Sequence, residues 1–306
     1  RGDQGPSRVY DRTLTVATSD PIDSSTCVLC GPVPAVPVEM RDGFRIVRCQ
    51  QCGLIFVHGW QTLGGLDELY SPAYFRHEGT SAVGYGDYLA HRALHLRNAR
   101  ALLTVLEREI PGPSRRIVDI GCAHGFFLAA ARERGWTGYG VDISADAVRY
   151  ARDTLGLAVL RGDIEQAGLE PGSFDAVALV GTIEHLPDPL RTLRAAARLL
   201  RPGGHLLITT LDVEGALRHY EWKPPEHLYY FSFRTLAALV RAAGLDVRWR
   251  RWYWAWYSVS DLAARLWRYW RLPGAAGVAR ALDRAGVGRL AVRIPTNEML
   301  VLARRR

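Results

Sequence analysis

From residue 115 onward, short apolar runs alternate with segments of helical spacing. The runs "RIVDI", "GYGVDIS", "LAVLRGDIE", "FDAVALV" and "HLLITT" read as five strands. Between them, "GFFLAAARERG" (closed by Gly135), the stretch opened by "SADAVRYAR" and the one ending in "LLRPGG" read as helices. Strands and helices in alternation predict an α/β fold with a doubly wound sheet. Upstream, Leu89, Leu94, Leu96, Leu103 and Leu106 recur at helical spacing between Tyr88 and Ile110, and "PGP" stops that helix. "GLIFV" reads as a short strand. Downstream, "RWYWAWYSVSDLAARLWRYWRLPG" (251–274) first alternates as a strand does and turns helical from Ser260. Arg265, Arg268 and Arg271 fall on one side of that helix; Leu262, Leu266, Tyr269 and Trp270 fall on the other.

The strand ends carry the chemistry. The first runs into "DIGCAHG", where Gly121 and Gly125 are spaced G-x-x-x-G rather than G-x-G-x-x-G, so the dinucleotide fingerprint is absent. No Lys-Ser/Thr pair follows, which excludes a nucleotide-triphosphate loop. Asp142 ends the second strand, 23 residues beyond Asp119, where a carboxylate can accept both hydroxyls of a ribose. Asp163 ends the third strand. Doubly wound sheets bind ligands at the carboxyl ends of their strands. Three carboxylates without a phosphate-holding group suit a positively charged nucleoside with an amine and a ribose diol; S-adenosylmethionine (SAM) is that ligand. Singly, Asp119 could cap a helix, Asp142 the next helix, and Asp163 a turn. Their common register favours the ligand.

Four of the five cysteines form two pairs, Cys27/Cys30 and Cys49/Cys52, in the pattern C-x2-C-x18-C-x2-C with a glycine after each pair. That spacing predicts a tetrahedral zinc site of four sulfurs, closed and therefore structural. Two redox pairs or buried thiols are the alternatives. A segment this small needs such a staple to fold.

Composition narrows the partners. The formal charge is +8, yet Lys223 is the single lysine among 39 basic residues, a bias of GC-rich coding rather than of a basic binding face. The arginines are spread along the helices among Asp and Glu, which argues against a nucleic-acid substrate. No stretch approaches the roughly 20 apolar residues of a membrane span, and no apolar signal-peptide core opens the chain, which predicts a cytoplasmic protein.

Residues 115–210 resemble the class I SAM-dependent methyltransferases, through "DIGCAHG", "VDIS", "GDIE" and "EHLPDPLRTLRAAARLLRPGG" in that order. Ala123 stands where the family usually has glycine. The resemblance implies a Rossmann-like seven-stranded sheet whose last two strands form a hairpin, here about 246–256 and 296–304 with a helical insertion at about 257–292. It implies that Asp119 and Gly121 meet the methionine end of SAM, with Cys122 and Gly125 in the same loop. Asp142 takes the ribose with Ile143 on the adenine face, and Asp163 reaches the adenine amine beside Ile164. The domains expected are a leader (1–25), a four-cysteine zinc segment (26–62), an aromatic loop and helical lead-in (63–112) and the methyltransferase domain (113–306).

For the acceptor, the favoured base is His227 in "EWKPPEHLYYFS", with Glu226 beside it and Glu184 and His185 of "EHLPDP" as further candidates. A histidine capping the helix at 233–243 or bonded in the core is the plain alternative for His227. The order of zinc segment and methyltransferase domain, and the Glu226–His227 pair, resemble the sugar C-methyltransferases of antibiotic pathways, although Pro224 stands where those have tyrosine. The expected reaction is methyl transfer to oxygen or carbon of a small-molecule or carrier-linked acceptor in bacterial secondary metabolism. An RNA methyltransferase and a SAM-binding assembly module are the rival readings. Tyr74, Tyr85 and Tyr88 could cover the pocket or pack the linker. The Trp-rich insertion could be core or lid, a homodimer face, or a peripheral membrane contact.

Overall fold

The computed structural model describes residues 22–60, 88–113, 115–215, 222–260, 262, 275–288 and 290–306. The leader before Ile22, Tyr74, Tyr85, and Arg265, Leu266, Arg268, Tyr269, Trp270 and Arg271 lie outside the described residues.

The chain builds two sheets. The larger is seven-stranded and contains β5 (Arg115–Ile120), β6 (Trp136–Asp142), β7 (Ala158–Arg161), β8 (Phe174–Val180), β9 (Leu200–Leu211), β11 (Leu245–Ser258) and β12 (Ala291–Arg305), in the spatial order β11-β12-β9-β8-β5-β6-β7. The five strands from β5 to β9 are parallel, and β12 runs antiparallel to both neighbours. From β5 the chain steps outward to β6 and β7, then returns to β8 on the other side. That reversal opens a crevice at the carboxyl ends of β5 and β8, where such sheets bind ligands.

Helices cover both faces: α1 (Arg92–Glu109), α2 (Phe126–Glu133), α3 (Ala145–Asp153), α4 (Pro189–Leu199) and α5 (Phe233–Ala242), with α6 (Ala275–Arg284) between β11 and β12. In α1 the buried side chains are Ala99, Leu102, Leu103 and Leu106, the i, i+3, i+4, i+7 stripe of an amphipathic helix. Leu89, counted with that stripe from spacing alone, lies ahead of the helix and is exposed. Ser144 caps α3, Asp188 caps α4 with Pro189 at its first turn, and Ser232 caps α5 in a reciprocal bond with Thr235. The strands of the final hairpin are longer than their alternation suggested. Bulges at Val247/Trp249 and Trp252/Trp254 shift the register and blur a period of two.

The smaller sheet is antiparallel, β1 (Ile22–Cys27), β2 (Gly31–Arg41), β3 (Phe44–Cys49) and β4 (Ile55–Val57), and its fifth strand comes from far along the chain: β10 (Tyr229–Tyr230) pairs with β4. Cys27, Ala35, Val47, Leu54 and Phe56 of this ribbon share one buried cluster with Leu193, Leu228, Phe231, Leu236 and Val301 of the larger domain. A shared core, rather than a flexible hinge, fixes the ribbon against the site.

Candidate active site

At the crevice, near the carboxyl end of β5, Asp119 is buried and its Oδ1 has no hydrogen-bond partner among the described residues. Burial pushes this carboxyl well above the usual range, and the nearby Asp142 pushes it further. Asp142 is raised by burial as well, although the N–H groups of Ser144 and Ala123 hold it partly down. These donors reach its two oxygens at 2.8 Å each, so Asp142 also knits the β5–α2 loop to the end of β6. A buried acidic pair with an orphaned oxygen is completed by a cation.

The loop between them is tight. Gly121 has φ +73, and a Cβ there would stand 2.4 Å from Thr182 Cγ2 in the loop after β8. Ala123 adopts φ 46, the left-handed region where the family's glycine would sit without strain. Its N–H bond to Asp142 offsets that cost. Gly125 caps α2, Cys122 is buried beneath the loop, and neither Asp119 nor Asp142 caps a helix through its side chain. Ile143 is exposed on one side of the crevice; Asp163, also exposed, precedes the buried Ile164. Tyr88 stacks on His95 at 4.0 Å and on His124 at 5.1 Å between ring centroids, and the charges of Asp119 and Asp142 act on its hydroxyl. Tyr88 therefore lies over the cofactor end of the crevice.

On the other side of β5, the loop after β8 and the segment before β10 meet. Glu184, buried, accepts from Thr210 Oγ1 at 2.9 Å. His185 Nδ1 contacts the Glu226 carbonyl at 2.8 Å, and its ring meets the His227 ring edge-on at 4.7 Å. Glu184, His185 and His227 each bring one polar atom within 4.8 Å of the others, close enough to surround a small cation. His227 is buried and its Nδ1 has no partner; burial first, then the neighbouring His185 and Lys223, hold it well below the usual histidine range. It does not cap α5, a role filled by Ser232. Sequence reasoning brought out Glu184, His185, Glu226 and His227 but not the bond of Glu184 to Thr210, since no local pattern joins a loop residue to a strand 26 positions away.

This corner is held from both sheets. Leu228 N donates to Glu184 O and Val57 N donates to Leu228 O, both at 2.9 Å. Tyr229 packs against Phe56 and Trp60, and its hydroxyl donates to the Pro187 carbonyl at 3.1 Å. The residues flanking His227 are thus clamped between the ribbon and the loop after β8.

The ribbon gathers the four expected cysteines, whose sulfurs lie within 4.8 Å of one another, with Cys27 and Cys52 at 3.7 Å. Zinc–sulfur bonds of about 2.3 Å give a tetrahedral edge of roughly 3.8 Å, so the donor set fits that ion. Gly31 (φ +76) and Gly53 (φ +81) make the left-handed turn after each pair. Crowding divides the thiols: Cys27 is pushed far up by its hydrogen bond with Cys52 and by burial, while the same bond pulls Cys52 down to about 5.

The sheet order, the antiparallel β12 and the acidic strand ends define a class I SAM-dependent methyltransferase. Residues 88–248 match the family model described as "Methyltransferase domain", just over half of the chain, and the chain belongs to that family. It is 36% identical over 159 residues to a Ralstonia nicotianae protein named "Ubiquinone biosynthesis O-methyltransferase", covering 46% of this chain and 67% of that one. A Xanthomonas campestris pv. campestris protein of the same name is 31% identical over 198 residues, covering 59% and 77%. Among solved structures, a chain from the complex of the Haloferax volcanii Trm112 methyltransferase activator with a methyltransferase superposes with a TM-score of 0.50 at 23% identity, covering 70% of this chain and 93% of that one. That likeness is one of fold.

Proposed function

We propose that this methyltransferase transfers the SAM methyl group to a hydroxyl oxygen of a small-molecule acceptor, with His227 as general base. The observation that carries the reading is the buried, uncharged His227 with an open Nδ1, clamped beside Glu184 and His185 at the edge of the crevice. The names of the curated relatives, O-methyltransferases, favour oxygen.

Asp119, Gly121 and Asp142 would hold SAM, which when bound supplies an electrophilic methyl on a sulfonium. Asp119 would take the ammonium on its orphaned oxygen, and Asp142 the ribose, while keeping its two backbone donors. Ile143 and Asp163 would border the adenine, and Tyr88 would shield the site from water. His227 would take the acceptor's proton as oxygen attacks in line with the methyl, and the edge-on His185 would orient its ring. Glu184, fixed by Thr210, would stabilise the imidazolium that results. Cys27, Cys30, Cys49 and Cys52 would hold a structural zinc that stiffens the ribbon; all four ligand positions are filled by sulfur, so the metal takes no part in the chemistry.

The buried Glu226–His227 pair next to a four-cysteine segment also suits carbon transfer on a nucleotide-linked sugar. One experiment tests both. SAM with a deuterated methyl is incubated with the protein and a small-molecule extract, and labelled products are sought by mass spectrometry, with His227→Ala in parallel. A labelled O-methyl product that falls about a hundredfold or more in the variant supports the reading. A labelled carbon shifts it to the sugar class. Unchanged labelling in the variant removes His227 from the mechanism.

A further inference from the structure

The β11–β12 hairpin outruns its sheet. β12 pairs with β9 only from Glu298 to Arg304, whereas it continues with β11 from Trp254↔Pro295 to Ser258↔Ala291. Both pairings are antiparallel, so β11 runs parallel to β9 and the extension projects past the carboxyl end of β9, the edge where the crevice opens. One face of this two-stranded ribbon is closed by α1. Tyr253 and Ala255 are buried in the α1 cluster, and at the free edge of β11 Asn98 bonds both backbone groups of Trp256.

On the opposite face Arg97 lies 3.3 Å over the Trp256 ring, and the two tryptophans before it are exposed. Trp252 is 55% and Trp254 46% exposed, the only exposed tryptophans among the described residues. Direct register from Trp252 through Met299 to Thr210 puts Trp252 on the face of the sheet that bears the Thr210–Glu184 bond. The sequence that forms and follows the hairpin is basic. Residues 248–293 hold ten arginines and two acidic residues, which alone matches the +8 of the whole chain. Arg250 and Arg293 are exposed on this stretch of hairpin, Arg250 with its guanidinium 4.4 Å over the Phe233 ring, whereas Arg251 stacks on Trp249 toward the α1 face.

We propose that this Trp252–Trp254 ridge is a docking surface for an anionic lipid bilayer. Indole rings favour the headgroup layer, where their apolar body and N–H are both satisfied, and arginines around them pair with lipid phosphates while their stems stay apolar. A homodimer across this face would set the arginines against their own copies. Single-stranded nucleic acid is held in basic grooves, and a projecting two-stranded ridge offers none. Docking needs no particular residue as base.

The test uses the full chain and sedimentation with phosphatidylcholine vesicles, with and without phosphatidylglycerol. Binding to the anionic vesicles alone, lost at high salt and accompanied by a blue shift of tryptophan emission, is the expected result. The W252S/W254S double variant should bind at least about tenfold more weakly while SAM affinity is unchanged, which separates docking from misfolding. Equal binding of the variant, or no binding of the parent chain, overturns the proposal. A concentration-dependent dimer lost in the variant overturns it in favour of self-association. RNA binding lost in the variant, with vesicles ignored, does so in favour of nucleic acid.

Discussion

At the level of single residues, the site is governed by charges held away from water. Asp119 is raised by burial and by Asp142, so without ligand it keeps its proton to higher pH than an ordinary carboxyl does. Cation binding requires the ionised form, so SAM should bind more tightly as pH rises and release protons as it does. Calorimetry in buffers of different ionisation enthalpy reads that release, and Asp119→Asn should weaken binding and abolish its pH dependence. His227 is displaced in the opposite direction, its neutral form persisting below the usual histidine range. The acid limb of kcat/KM should therefore lie below about pH 6.5. His185→Gln removes a neighbour that depresses His227, and the limb should move up. The same displacement bears on stability. The unfolded chain protonates this histidine first, so stability is lost as pH falls through the unfolded value, and His227→Ala should lessen that loss. The acids were legible because each falls at or close to a strand end of a recognisable pattern. Glu184 stood out beside His185, but its bond to Thr210 did not, because that partner lies on a distant strand.

Elements show the same division. Strands β5 to β9 and the helices between them were legible because buried parallel strands and capped amphipathic helices write their periods into sequence. The β4–β10 pair was not, since two residues carry no period and their partner lies more than 170 positions away. Nor was the edge of the sheet, where Asn98 supplies a side-chain amide in place of a neighbouring strand. Asn98→Ala leaves the Trp256 N–H and carbonyl without that partner, and the loss should be about 1–3 kcal/mol by chemical denaturation. Asn98→Asp keeps only the acceptor and should cost less. A zinc ion held by the four cysteines would have an element of its own to support. Cys49→Ser or a strong chelator should lower the melting temperature and free the Tyr229 environment, seen in near-ultraviolet dichroism, while SAM binding persists because Asp119 and Asp142 belong to the other sheet.

Over the whole molecule, the family's matched region begins at residue 88, yet one strand of the ribbon's sheet comes from within it. By sequence β10 belongs to the methyltransferase domain; by hydrogen bonding it belongs to the ribbon. A protein engineer seeking new acceptors would be misled by a cut at residue 60. Exchanging residues 22–60 alone would set a foreign edge against Tyr229 and Tyr230, and the walls around His227 would come from two unrelated parents. The transplantable cassette is discontinuous: the ribbon together with residues 222–231, leaving the cofactor half in place.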